Sequence, residues 1–230
     1  MDKLQKKLDF LLDKYAVSQK AVLEKDTVWV DGKAFALLPW RQERRFTELR
    51  QMVKSGTVGA ISHFKIMSLN PRTTSLEAVI RRELDTARFI GGFEITEVFA
   101  VQNGGTASVL AQSDTGAVVT LELDTTLPEG SRVIDKHEII TTRGTACDRA
   151  MDSQTPLSSL YVYGADAAEY TDVDFELYGL LPEEVAQVRQ AFEIAKYPQT
   201  GEENNREAAR LAVLLARTLE SAGNGRNLTV

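Results

Sequence analysis

The stretch from Glu94 to Cys147 constrains the fold more than any other part of the chain. It reads as a succession of strand-like runs: Thr96 to Val101, Thr106 to Gln112, Ala117 to Asp124 and Val133 to Thr142, with Thr145 opening another. The links are turn-like, Ser113-Asp114-Thr115-Gly116 before the third run and Arg143-Gly144 before the last. Links this short fold consecutive strands back on one another, so the pattern predicts antiparallel pairing within one large sheet.

Helical periodicity surrounds this core. Residues 2–21 read as a helix, with Leu4, Leu8, Leu11, Leu12 and Tyr15 at helical spacing. Thr27 to Val30 and Lys33 to Leu38 flank Asp31-Gly32, a strong hairpin signal because both residues tolerate positive φ. Residues 41–54 read as a helix with Phe46, Leu49 and Val53 inward. Ala60 to Leu69 alternates as a strand, with Ser62, Phe64, Ile66 and Ser68 on one side and Ile61, His63, Lys65 and Met67 on the other. Thr74 or Ser75 caps a helix running to about Ile90, closed by Gly91-Gly92. Pro182 opens a helix with a stripe of Val185, Val188, Phe192 and Ala195. A last helix carries Ala208, Leu211, Ala212, Leu215 and Leu219, ending at Gly223. Ser158 to Tyr163 and Thr171 to Tyr178 are either edge strands or ordered loop, and Gly201 to Asn205 is the most linker-like stretch. The expected fold class is α+β, a large, mostly antiparallel sheet with helices on one face. A single domain is expected over residues 1–230: a helix and hairpin in 1–40, then a sheet domain in 41–230.

Composition excludes several function classes. A net charge of −6 argues against nucleic-acid binding, which needs a basic surface to displace counterions. The single cysteine, Cys147, cannot form an internal disulfide, and two distant histidines make a Cys/His metal site unlike this chain. No apolar run reaches the roughly 18 residues that span a bilayer. The charged N-terminus lacks the pattern of a signal peptide. A cytoplasmic protein without a membrane or nucleic-acid partner is expected. There is no HExxH, CxxC, GxSxG or P-loop.

Several segments resemble the C-terminal, substrate-binding domain of the Gfo/Idh/MocA oxidoreductases. Phe46-x-x-Leu49-x-x-x-Val53-x-Ser55-Gly56-x-x-Gly59-x-Ile61 is similar to the entry to that domain. Leu84-Asp85-x-Ala87-Arg88-Phe89-Ile90-Gly91-Gly92, followed by Ile95-x-Glu97-Val98-x-Ala100-Val101, resembles its helix and following strand. Ser108 to Glu122 resembles its central hairpin, Glu138-Ile139-x-x-Thr142-Arg143-Gly144-Thr145-Ala146 its strand–Gly–strand, and Ala208 to Val230 its closing helix and strand. The resemblance covers roughly residues 35–150 and 203–230. It implies a sheet with one face open, a face that commonly mediates oligomerisation in the family.

The departures from the family pattern bear on function. Family members bind a nicotinamide cofactor on a Rossmann domain, whose glycine-rich turn meets a pyrophosphate at a helix N-terminus. No GxGxxG occurs here, and Glu24-Lys25-Asp26 is only a partial echo of the family's Glu-Lys-Pro motif. The family's Asp and His on the helix before Asp85 fall on Ala78 and Arg82. Alanine cannot orient a neighbour, and arginine stays protonated and cannot act as a general base near neutral pH. No cofactor is expected.

Residues able to hold a small polar ligand remain. Arg82 and Asp85 share a helical face, and a guanidinium suits carboxylates and phosphates; ordinary pairing of Arg82 with Glu83 or Asp85 is the alternative. Arg41 lies where the family places substrate contacts, or else at a solvated helix start. His137 is a ligand candidate or a structural histidine, and it cannot form a dyad with Glu138 because strand neighbours face opposite sides. Asp152, Gln154, Ser158 and Tyr161 form a polar stretch that suits a polyol, or a loop that satisfies itself through Asx and Ser turns.

The expected function is therefore a non-catalytic, homo-oligomeric relative of that domain, a dimer or higher assembly through the open sheet face. It would bind a small polar, sugar-like ligand or a protein partner. The alternative is the substrate-binding subunit of a split NAD(P)-dependent oxidoreductase, with a partner chain carrying the Rossmann domain. A cofactor-free lyase, isomerase or hydrolase using Asp152, His137 or Glu138 ranks last.

Overall fold

The structure is a computed structural model that describes residues 3–148, 159–163, 168–171, 174 and 176–230. In chain order it begins with α1 (Lys3–Lys14), β1 (Ala21–Glu24), β2 (Thr27–Val30), β3 (Lys33–Ala36), a 3-10 turn (Pro39–Gln42) and α2 (Arg44–Lys54). There follow β4 (Ile61–Pro71), α3 (Leu76–Gly91), β5 (Ile95–Asn103), β6 (Thr106–Ser113), β7 (Val118–Leu127), β8 (Ile134–Thr141) and β9 (Gly144–Cys147). The chain closes with β10 (Ser159–Tyr163), β11 (Ala168–Thr171), α4 (Pro182–Lys196), α5 (Pro198–Asn224) and β12 (Leu228–Thr229). By backbone contacts it divides into two compact units, Met1–Arg44 with Val173–Arg210, and Arg45–Asp172 with Leu211–Val230.

The first unit holds a three-stranded antiparallel sheet in the order β1-β2-β3. Asp31 at φ +47° and Gly32 at φ +84° form the two-residue turn that the Asp-Gly pair predicts. Leu23, Val28 and Phe35 align across the three strands and point into a core with Leu8, Leu11, Val188, Ala191 and Ile194. The helix read over residues 2–21 stops at Lys14, because Ala21-Val22-Leu23-Glu24 alternates inward and outward and becomes β1. Carboxamide side chains seal both sheet edges. Gln5 accepts from Leu23 N at 2.8 Å and donates to Ala21 O at 3.0 Å, while Asn205 accepts from Ala36 N at 2.7 Å. Gln190, buried, grips both backbone groups of Leu38. The stretch read as a linker lies inside α5, where Gly201 packs so tightly that an added Cβ would sit 2.5 Å from a Phe35 ring carbon.

The second unit is built on a nine-stranded sheet in the order β11-β10-β9-β8-β4-β7-β6-β5-β12. Every neighbouring pair is antiparallel except β4 with β7. From β5 to β9 consecutive pairing fails at one point, where β4 inserts between β7 and β8. A parallel pair needs a crossover of a dozen or more residues, and residues 72–117 supply it. Placing β4 in the middle pairs both of its edges and buries Phe64 and Ile66. Of the two stretches read as edge strands or ordered loop, residues 159–163 form β10, Thr171 ends β11, and residues 176–179 are turns.

Helix α3 packs on β4 and β7. Ser75 caps it, its side chain accepting from Ala78 N, and Gly92 at φ +67° closes it in the left-handed region. Its Val79, Ile80, Leu84, Ala87 and Ile90 are buried, as are Val119 and Leu121 of β7. On the part of α5 that belongs to this unit the buried positions are Leu211, Leu214, Thr218 and Ser221, whereas Ala212 of the expected stripe is exposed. Leu214 and Thr218 continue the helical spacing from Leu211, a phase that the alanines obscure in the sequence. The opposite sheet face exposes Met67, Phe99, Val101 and Leu110. Among the described residues no helix is long and apolar enough to cross a membrane.

Candidate functional site

A dense, buried polar grouping lies inside the second unit, where α2, α3, β8 and the residue after β9 meet. Asp135 and His137, two apart on β8, point to the same side. Asp148 stands across from His137 because the β8–β9 hairpin pairs Thr141 with Gly144 and Glu138 with Cys147. Helix α3 contributes Arg82 and Glu83, and α2 contributes Arg45 and Phe46.

His137 is fully enclosed and clasped by two carboxylates. Its Nδ1 meets Asp148 Oδ2 at 2.6 Å and its Nε2 meets Glu83 Oε2 at 2.9 Å. The His137 backbone N–H also donates to Asp148 Oδ1 at 2.7 Å. Burial alone would push the imidazole down, but Asp148 and Glu83 outweigh it and raise its pKa to about 10. Both ring nitrogens then carry protons, so the group is an imidazolium without a free lone pair. The edge of Phe46 closes over it, with ring centroids 4.6 Å apart.

Arg45 ties the acidic groups together. It forks onto Asp135 with two bonds of 2.8 Å and reaches Asp148 Oδ2 at 2.9 Å. Its guanidinium carbon lies 4.4 Å from the Phe46 ring centroid. Arg82 adds a bond to Asp135 at 3.2 Å and lies 3.7 Å from Glu83 Oε1. Against the opposing push of burial, Arg45 and then Arg82 hold the Asp135 carboxyl far below the usual carboxylate range. Three carboxylates (Glu83, Asp135, Asp148) thus face three cations (Arg45, Arg82, His137).

This arrangement suits neither acid–base chemistry nor a resident metal. Donor atoms of Glu83, Asp135 and His137 lie within 4.8 Å of one another. Yet both nitrogens of His137 are engaged and both oxygens of Asp135 face Arg45. A divalent cation would have to enter beside two guanidinium groups and displace a proton. The one open acceptor is Glu83 Oε1, buried without a hydrogen bond.

The residues expected at a ligand site separate on this geometry. Arg82 and His137 come together through Asp135 and Glu83. Asp85 faces elsewhere, buried against Arg88 at 3.3 Å, while Arg88 also holds Glu94 at 2.7 Å. Arg41 belongs to the other unit and pairs with Glu207 at 3.1 Å. Asp152, Gln154 and Ser158 lie outside the described residues, and of Tyr161 the structure describes only the backbone, in β10 opposite Cys147 and Glu169. His137 and Glu138 point to opposite faces, as their adjacency requires. The sequence names Glu83 as a partner of Arg82, which the structure places 3.7 Å away, but it does not single out Arg45, Asp135 and Asp148 as partners. One signal was available for Asp148: counting back from the Arg143-Gly144 turn sets residue 148 against residue 137.

No family model and no curated protein matches the chain. Solved structures do. An oxidoreductase from Agrobacterium radiobacter, in complex with NAD+, L-tartaric acid and magnesium, superposes with a TM-score of 0.68 at 16% identity, over 85% of this chain and 64% of that one. An oxidoreductase domain protein from Kribbella flavida gives 0.66 at 16%, over 84% and 64%. Scyllo-inositol dehydrogenase from Lactobacillus casei, with bound NAD(H) and scyllo-inositol, gives 0.59 at 17%, over 84% and 63%. The chain thus spans less than two thirds of the length of each. The chain has the fold of the C-terminal domain of Gfo/Idh/MocA-type oxidoreductases.

Proposed function

We propose that this chain is a non-catalytic, homo-oligomeric version of that domain, which binds a small polar ligand or a protein partner. The observation that carries the reading is the closed charge cluster around His137. Arg82 stands where the resemblance puts the acid–base histidine, and it is committed to Asp135 and Glu83. The one nearby histidine is held as an imidazolium. A general base needs a lone pair at the working pH, and neither group offers one. The exposed apolar residues of the sheet's outer face support the oligomeric part of the reading.

The relatives' ligands, L-tartaric acid and scyllo-inositol, suggest hydroxylated small molecules as the class to try first. Thermal shift of the purified chain with polyols, sugar acids, NAD(H) and NADP(H) tests the proposal. A bound ligand at 100 times its Kd stabilises by about 2.7 kcal/mol, roughly 5–10 °C for a chain of this size. A shift with a polyol or sugar acid, and none with either nicotinamide, is expected. Steady reduction of NAD+ or NADP+ by the isolated chain with any polyol would overturn the proposal.

The second reading, a substrate-binding subunit whose cofactor domain lies on another chain, has support from the fold itself, since the superposed proteins hold a nicotinamide together with L-tartaric acid or scyllo-inositol. Co-purification of a nicotinamide-binding chain would favour it.

A further inference from the structure

The outer face of the nine-stranded sheet carries a titratable group in a telling place. His63 lies on β4, the middle strand, with Val118 of β7 on one side and Ile140 of β8 on the other. All three share the face that exposes Met67, Phe99, Val101 and Leu110. His63 Nε2 meets Thr120 Oγ1 at 3.0 Å, a pairing that a neutral ring makes with either tautomer. Lys65, two residues along the same strand, points to the same side.

The five long strands β8, β4, β7, β6 and β5 are adjacent. At about 4.8 Å per strand and 3.4 Å per residue they offer on the order of 650 Å². Two copies stacked on this face would bury roughly 1,300 Å², within the range of stable interfaces. A face shared by both partners is self-complementary under two-fold symmetry, so a second copy of the same chain is the occupant that fits.

We propose that protonation of His63 weakens the pairing of two copies of this chain through this face. The proposal rests on the oligomeric part of the function proposed above. Stacking takes His63 out of water beside Lys65, where a second positive charge is costly. The groups facing it offer little relief. On β8, Glu138 already holds Lys136 at 3.2 Å. On β7, Glu122 accepts from Ser108 at 2.7 Å. In the same cross-strand row, β6 presents Gln112 and β9 presents Thr145, both neutral. Burial and the Lys65 ammonium already hold His63 below its ordinary value in a single copy. A dimer that favours the neutral ring is stable above the single-copy pKa and weakens as pH falls through it, taking up as many as two protons.

Sedimentation velocity at pH 7.5 and pH 5.0, on the wild type, His63→Gln and Leu110→Arg, tests the proposal, with circular dichroism to verify folding at both values. The wild type should be a dimer at pH 7.5 with a Kd at least tenfold weaker at pH 5.0. His63→Gln should remain a dimer at both, and Leu110→Arg should be a monomer at both. A wild type that stays dimeric at pH 5.0, or a His63→Gln variant that dissociates there like the wild type, overturns the pH mechanism alone. A wild type that is monomeric at both values overturns the oligomeric reading itself. A dimeric Leu110→Arg places the interface elsewhere and also defeats the proposal.

Discussion

Replacing Asp148 by asparagine tests the charge cluster with the least change of shape. Asp148 Oδ1 accepts from the His137 backbone, and an amide oxygen can keep that bond. Oδ2 accepts from both the His137 ring and Arg45, and the amide NH₂ that replaces it would face two donors. Breaking a buried, hydrogen-bonded ion pair from one side costs about 3–5 kcal/mol. The cluster also gains a net positive charge, so His137 loses its proton more readily. In the wild type His137 is raised from its ordinary value of 6.5 to about 10. A raised pKa means stability that is fully present below pH 6.5 and lost as pH climbs toward 10, on the order of 5 kcal/mol in all. Asp135 acts in the opposite sense: its depressed pKa adds stability above its ordinary 3.8, which is lost as acid protonates it. The cluster should therefore contribute most between pH 3.8 and 6.5. Urea unfolding followed by far-UV circular dichroism at pH 6 and pH 9.5 is the assay, since Trp29 and Trp40 both lie in the other unit and would not report on this one. Asp148→Asn should lose about 3–5 kcal/mol at pH 6, and the gap should narrow by at least about 2 kcal/mol at pH 9.5. A loss under about 1 kcal/mol at pH 6, or a gap that does not change with pH, refutes the reasoning.

Other outcomes follow from the same geometry. Arg45→Met should destabilise by about 3–5 kcal/mol and Arg82→Met by only about 1–2, because Arg45 bridges two carboxylates in the interior while Arg82 is partly exposed; urea unfolding of the pair checks the order. Gly201→Ala should cost about 1–3 kcal/mol through overpacking against Phe35, read in the tryptophan fluorescence of the first unit. Gln5→Leu should leave the packing of α1 nearly unchanged yet speed amide exchange at Leu23, whose N–H the Gln5 side chain accepts.

Much of the fold was legible because local patterns encode it. Asp31-Gly32 dictates its hairpin through backbone freedom, and the period-two alternation from His63 to Ser68 sorts the two sides of β4 correctly, whereas a register shift after Ile61 leaves Ser62 exposed. β1 was not legible, because Ala21 to Glu24 is too short to outweigh the helical spacing that precedes it, and its partner strands decide its state. The parallel pairing of β4 with β7 escaped for a related reason: nothing local says that a strand laid down early will sit between two later ones. The candidate site shows the same divide. Ala78 and Arg82 could be placed by position along one helix, and the mutual opposition of His137 and Glu138 by strand geometry. The network itself joins residues 45, 82, 83, 135, 137 and 148, groups whose charges become partners only after α2 and α3 settle on the sheet. Gly201 read as a linker because a glycine needed for close approach has the same sequence signature as one needed for freedom.

The protonation state of His137 tests the central claim most directly. The chain has two histidines, so His63→Gln leaves a single imidazole to observe by nitrogen-15 NMR. The account predicts that both ring nitrogens remain protonated at pH 8 and that titration begins only as pH nears 10. A ring that is neutral at pH 8, with one nitrogen bare and an ordinary titration near 6.5, would contradict it and return a usable base to the site.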